Sequence, residues 1–236
     1  MKRILVIGWH GKQNIGDDLM LSVISWGASF YWKVQEIYIW AHSLNIPKQN
    51  KGARIIPVFS RVSVFNFLFK IISILKADAL VFGGGSIYHS VNSCRWKYFY
   101  TKIFKLIHPK RPVGSIGVSL GPFKNANAKM WAEKLLQKYD FLVLRDKISY
   151  YYANQMKLPY SPKLGFDIAS LIPFIIDKKN NLLSGRNNKI IGVSIMDCVN
   201  TGTGKTSDDE KVISEFTKFI NVLITTEPKC IIDLLV

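Results

Sequence analysis

Ala79-Leu80-Val81-Phe82-Gly83-Gly84-Gly85-Ser86 is the stretch on which the fold turns. Four apolar residues run without polar alternation, which reads as a short strand buried on both faces. Three glycines follow at once. They suit either a tight turn or a backbone surface on which a ligand lies, with Ser86 able to donate a hydrogen bond. A strand covered on both faces implies parallel neighbours joined by helical crossovers.

Outward from it, residues 2–9, 36–41, 54–59, 113–120, 141–144 and 163–166 read as further strands. Between them, residues 18–31, 63–76, 95–107, 126–138 and 147–156 carry apolar side chains at helical spacing. The alternation specifies an α/β domain with a doubly wound parallel sheet, Rossmann-like, over residues 1–176. Residues 177–188 are rich in Asn, Lys, Ser and Gly and read as a linker. Residues 189–236 restart as strand, helix and strand. So short a unit cannot bury both faces of its sheet, and an incomplete second α/β domain is expected.

Composition limits the partners. Of the 236 residues, 48% are hydrophobic and 20% charged, a globular balance. The apolar run at the N-terminus is too short for a signal peptide, and Trp9-His10-Gly11-Lys12 stands where a small-residue cleavage site would be. The most apolar later stretch, residues 64–75, is broken by Lys70 and too short to cross a bilayer. Cys94, Cys198 and Cys230 fit neither a disulfide framework nor a zinc spacing, so a cytoplasmic protein is expected, with no metal cluster. The net charge is +16, and between Ile37 and Ala132 the only acid, Asp78, faces 14 Lys or Arg. Such a field attracts phosphate on a small substrate, on an anionic membrane or on nucleic acid; a solvated lysine-rich surface would give the same count. No sequence signature of a nucleic-acid-binding fold accompanies the charge, which leaves nucleic acid the weakest of these partners.

Ligands of open parallel sheets sit at the carboxyl ends of the strands. Four segments fall there. In Gly8-Trp9-His10-Gly11-Lys12-Gln13-Asn14-Ile15-Gly16-Asp17-Asp18, one aspartate can cap the helix and the other is left as a base or hydroxyl ligand. Its glycine spacing is not that of a dinucleotide site. The second segment runs from Gly83 to His89, where His89 reads as a packed histidine. The third contains Gly117 and Gly121. In the fourth, Arg145 follows the apolar Leu142-Val143-Leu144, a costly place for an unpartnered charge. It reads either as a structural ion pair, with Asp146 or a similar acid, or as a guanidinium fork for phosphate or carboxylate. Thr203-Gly204-Lys205-Thr206 ends like a phosphate-binding loop, but the leading glycine position is Val199, and a plain loop fits better.

In order, Asn14-Ile15-Gly16-Asp17-Asp18, Gly83-Gly84-Gly85-Ser86, Gly117-Val118-Ser119-Leu120-Gly121-Pro122, Arg145-Asp146 with Ser149, and Gly165-Phe166-Asp167-Ile168-Ala169 resemble the motif series of the polysaccharide pyruvyl transferase family. The resemblance spans residues 2–171 and continues faintly through 190–196. It implies a two-domain fold like that of the GT-B glycosyltransferases, and transfer of a pyruvyl group from phosphoenolpyruvate to two sugar hydroxyls as a ketal, without a cofactor. It implies that Arg145 and Gly83, Gly84, Gly85 and Ser86 hold the donor, and that Asp17 or Asp18 is the catalytic carboxylate. Asn14, Gly16, Gly117, Gly121 and Asp167 would line the acceptor side, where a saccharide, lipid-linked or free, would sit. In the family a histidine and an arginine expected to act on the donor come late in the second domain. No residue before Val236 matches them, so the expectation is a truncated chain, inactive alone, split or degenerate. Two rivals stand beside this reading: a GT-B-type glycosyltransferase using a nucleotide sugar, and a non-catalytic module on the inner membrane face.

Overall fold

The computed structural model describes residues 1–12, 14–41, 54–59, 62–175, 190–194, 206–226 and 231–235. The proposed linker, the phosphate-loop lookalike up to Lys205, Cys198 and Cys230 lie outside them. The chain divides into two compact units, Met1–Asp177 and Lys178–Val236.

The first unit is an α/β fold built on one seven-stranded, all-parallel sheet. Its strands are β1 (Arg3–Ile7), β2 (Glu36–Trp40), β3 (Arg54–Val58), β4 (Ala79–Gly85), β5 (Val113–Val118), β6 (Phe141–Leu144) and β7 (Lys163–Leu164). They lie in the order β3-β2-β1-β4-β5-β6-β7. The chain thus winds outward from β1 in one direction and, from β4, in the other. The loops leaving β1 and β4 part company at their carboxyl ends and leave a crevice there. The glycines of the opening stretch belong to β4 itself: Gly83 pairs with Ile116 and Gly85 with Val118.

Helices cover both faces, as the unbroken apolar strands require. On one face Ile4, Val6, Ile37 and Val81 meet Leu21 and Ile24 of α1 (Ile15–Trp32), together with Ile168 and Ile175. The latter two belong to a 3-10 turn (Ile168–Leu171) and the short α6 (Ile172–Ile175), which the sequence pattern did not disclose. On the other face Leu5, Leu80, Phe82 and Leu142 pack on α2 (Ser63–Lys76), α3 (Val91–Ile107), α4 (Ala126–Leu136) and α5 (Lys147–Asn154). Side-chain caps set three of these starts. Ser90 accepts the Ser93 N–H, Asn125 the Ala128 N–H, and Asp146 the Ser149 N–H. The Ser90 cap is why α3 begins four residues before its apolar periodicity.

The second unit is one strand–helix–strand motif: β8 (Ile190–Ser194) and β9 (Ile231–Leu235) pair in parallel across α7 (Thr206–Thr226).

Candidate active site at the carboxyl edge of the sheet

Asn14, not an aspartate, caps α1: its side chain accepts the Gly16 N–H at 3.1 Å. Both aspartates are thereby left inside the first helical turn with their carboxylates uncommitted to capping. Asp17 is only 6% exposed. Burial, then the neighbouring Asp18 charge, push its pKa from 3.8 up to about 6, against a downward pull from Arg145. A helix N-terminus favours a carboxylate, so desolvation outweighs the dipole here. Burial also raises Asp18, opposed by a hydrogen bond from the Gly11 backbone.

The β4 glycines explain how Asp17 reaches the crevice. A Cβ on Gly83 would collide with the Ile24 side chain, and one on Gly84 would press on Met20 at 3.3 Å. At Gly85 a Cβ would stand 2.9 Å from Asp17 Oδ1, and the backbone has φ +74°. Missing side chains let α1 close onto the strand end, and this close approach brings the carboxylate against Gly85. Gly117 serves packing in the same way: with φ +67°, its open side is filled by Ile168.

Arg145 comes off the end of β6 and is held from three sides. Its Nε–H donates to Ser119 Oγ at 2.7 Å, an Nη1–H to Asp167 Oδ2 at 3.0 Å, and an Nη2–H reaches Ser86 Oγ at 3.5 Å. Its ion-pair partner is therefore Asp167, and the link to Asp146 is indirect. Ser119 accepts from Arg145 and donates to Asp146 Oδ2 at 2.8 Å. Asp146 also receives the Ser149 N–H at 2.7 Å and the Ser149 hydroxyl at 2.8 Å, while Ser149 Oγ accepts the Leu120 N–H at 2.7 Å. Burial pushes the Asp146 carboxyl up, but these hydrogen bonds and the Arg145 charge win, and its pKa lies below the ordinary value.

Several sequence-derived candidates thus converge. Arg145, Ser86 and Asp167 touch, and Asp17, beside Gly85, feels the Arg145 charge. Asp167 divides its carboxylate between Arg145 and the Ala169 N–H. Asn14 and Gly16 form the α1 cap, and Gly121 precedes Pro122 in the turn after β5. His89 is exposed, its Nδ1 bonded to the Ser86 carbonyl. Sequence reasoning passed over Ser119, which joins the guanidinium to Asp146. It also passed over Lys97, 3% exposed on α3, whose Nζ donates to the Ile87 carbonyl in the loop that carries Ser86.

The Asp167 pair is half open to water, with 50% exposure of the Asp167 side chain, and such pairs contribute little on their own. An anionic ligand can take over guanidinium donors there at small cost, and forked contacts to phosphate or carboxylate are what arginine makes best. Fold and site together define an α/β protein with a fixed cation and a buried carboxylate at the sheet's crevice. The chain belongs to the polysaccharide pyruvyl transferase family, whose model matches residues 14–227. No curated protein and no solved structure matches it.

Proposed function

We propose that the chain is a cytoplasmic pyruvyl transferase that takes the pyruvyl group of phosphoenolpyruvate and sets it as a ketal across two hydroxyls of a saccharide, free or lipid-linked, in polysaccharide biosynthesis. Residues 1–176 would form a Rossmann-like domain, residues 177–188 a linker, and residues 189–236 would belong to a second α/β domain in a GT-B-like arrangement. One observation carries the reading: a guanidinium fixed between Ser119, Asp167 and Ser86, with the buried Asp17 close enough to feel its charge, in a member of this family.

The chemistry follows from those groups. Phosphoenolpyruvate carries a phosphate and a carboxylate, and Arg145 can bind either through its fork. When the methylene carbon takes a proton, positive charge develops at the adjacent carbon, and a nearby carboxylate stabilises it. Two hydroxyls add there and the carbon–oxygen bond to phosphate breaks. Of the two hydroxyl protons, one balances the new methyl group and the other leaves with phosphate. With its pKa near 6, Asp17 can hold and release a proton close to neutral pH. Asp18 is the second candidate for that role.

The test is turnover by the full chain with phosphoenolpyruvate and a panel of saccharide acceptors. The expected products are inorganic phosphate and a pyruvate ketal in equal amounts. A chain that neither binds nor consumes phosphoenolpyruvate, yet is stabilised by a nucleoside diphosphate, would move the reading to a nucleotide-sugar glycosyltransferase. Saturation at about 100 times the dissociation constant stabilises by about 2.7 kcal/mol, enough to separate the two ligands in a thermal shift.

A further inference from the structure

Helix α2, Ser63-Val64-Phe65-Asn66-Phe67-Leu68-Phe69-Lys70-Ile71-Ile72-Ser73-Ile74-Leu75-Lys76, is apolar on the wrong side as well as the right one. Its inner face is settled: Ile74 is fully buried, and Ser73, also buried, accepts the Trp40 indole N–H at 2.9 Å. Val64, Phe65, Phe67, Leu68, Phe69 and Leu75 are between 44% and 75% exposed. At 100° per residue all but Phe67 fall on one broad stripe, and Phe67 stands at its edge on the side of Ile74. The neighbouring α3 adds Trp96 and Phe99 to the exposed apolar surface, at 39% and 53%. A helix apolar all round is ordinarily buried, and apolar patches of this kind mark interaction surfaces.

Charge identifies the partner. Helix α2 has no acid, and the 96 residues from Ile37 to Ala132 hold Asp78 alone against 14 cations, of which Arg54 and Lys105 pair with Glu36 and Asp140 outside that span and Lys97 is buried. Asp78 is already bonded to the Lys2 and Arg3 N–H groups and paired with Arg111. Lys76, at the end of α2, and Lys102 and Lys110, on and just after α3, meet no carboxylate among the described residues. Phenylalanine on α2 and tryptophan on α3, rimmed by lysine, are the features of a surface that lies in a membrane interface; among the described residues no helix is long and apolar enough to cross a bilayer.

We infer that α2, flanked by the exposed aromatics of α3, is an in-plane docking helix for an anionic bilayer surface. The aromatic and aliphatic side chains enter the acyl boundary and the lysines face the headgroup phosphates. The inference stands on this surface alone and is independent of the donor chemistry. It would hold the enzyme where a lipid-linked saccharide is presented.

The experiment is flotation of the full chain with phosphatidylcholine vesicles and with vesicles containing phosphatidylglycerol. The chain is compared with Phe65→Gln/Leu68→Gln and with Lys76→Gln/Lys102→Gln. All four side chains project from helix surfaces, and matched melting temperatures establish that the variants fold. Binding is expected to anionic vesicles and to weaken in high salt. Each lost lysine should lower the partition about fivefold, and the apolar pair should lower it at least about tenfold. Failure to bind anionic vesicles overturns the inference. So does binding indifferent to the Phe65/Leu68 change, or an apolar variant that instead dissociates an oligomer or lowers the melting temperature, which would make the stripe a protein–protein surface. Phosphoenolpyruvate binding in solution should be the same for all three proteins, so loss of donor binding tests the proposed activity and not the docking helix.

Discussion

Replacing Asp17 by asparagine removes a carboxylate that the fold holds against its preference for water. Burial and the Asp18 charge raise its pKa from 3.8 to about 6, so the native state binds this proton more tightly than the unfolded chain does. Stability from such a group is complete below pH 4 and falls as the pH climbs through the window to about 6. At 1.36 kcal/mol per unit, the wild type forgoes about 3 kcal/mol above that window. Asparagine is close in shape and does not ionise. Asp17→Asn should therefore match the wild type near pH 4 and become more stable across the window, by about 1–3 kcal/mol at pH 7.5, since local relaxation and Asp18 share the titration. Urea denaturation of both proteins at half-unit pH steps reads this directly. Turnover should fall in the same variant, because the strained carboxylate is the proposed proton-handling group. A difference that does not change between pH 4 and 7.5, or an asparagine variant less stable at pH 7.5, would refute the assignment of a desolvated carboxylate at this position.

Gly85→Ala places a methyl group 2.9 Å from Asp17 Oδ1 on backbone at φ +74°. A loss of about 1–2 kcal/mol in thermal denaturation is expected from the left-handed conformation alone, together with a turnover defect from the displaced carboxylate. Lys97, pushed by burial from 10.5 down to about 8, is a base whose neutral form the fold favours. Its stability contribution is lost as pH falls through that window, so the stability of wild type relative to Lys97→Met should rise by up to about 3 kcal/mol between pH 7.5 and 10.5. A difference constant with pH would show that Lys97 titrates normally.

The chain's architecture was readable because its signals are crowded and consistent. Leu142-Val143-Leu144 is apolar without interruption and is followed by two charges, so both the strand and the place of Arg145 at its carboxyl end are legible in the residue string. The apolar spacing sets helix α2 at residues 63–76, the limits it has in the structure. The starts of α1 and α3 lie earlier than the apolar spacing indicates for a specific reason: Asn14, Asp17 and Asp18 are all competent caps, as are several serines before Arg95, and local chemistry does not rank them. Tertiary packing does, by drawing Asp17 under Gly85. The same packing gives Gly83 and Gly84 their meaning. A glycine run at a strand end reads as a turn or a ligand surface, and packing asks for glycine there as well, because the side-chain space at Gly83 and Gly84 is taken by Ile24 and Met20 of α1. Ser119 was illegible as a site residue because a hydroxyl gains its role only from what lies on either side of it, here Arg145 and Asp146.

Calorimetric titration of phosphoenolpyruvate into the full chain and into Arg145→Ala addresses the anion site directly. The wild type should bind one equivalent. The alanine variant should lose about 10–100-fold in affinity, the worth of one hydrogen bond to a charged group, with its fold intact by circular dichroism. Equal affinity in both proteins would contradict the site described above, as would a wild type with no affinity for the donor.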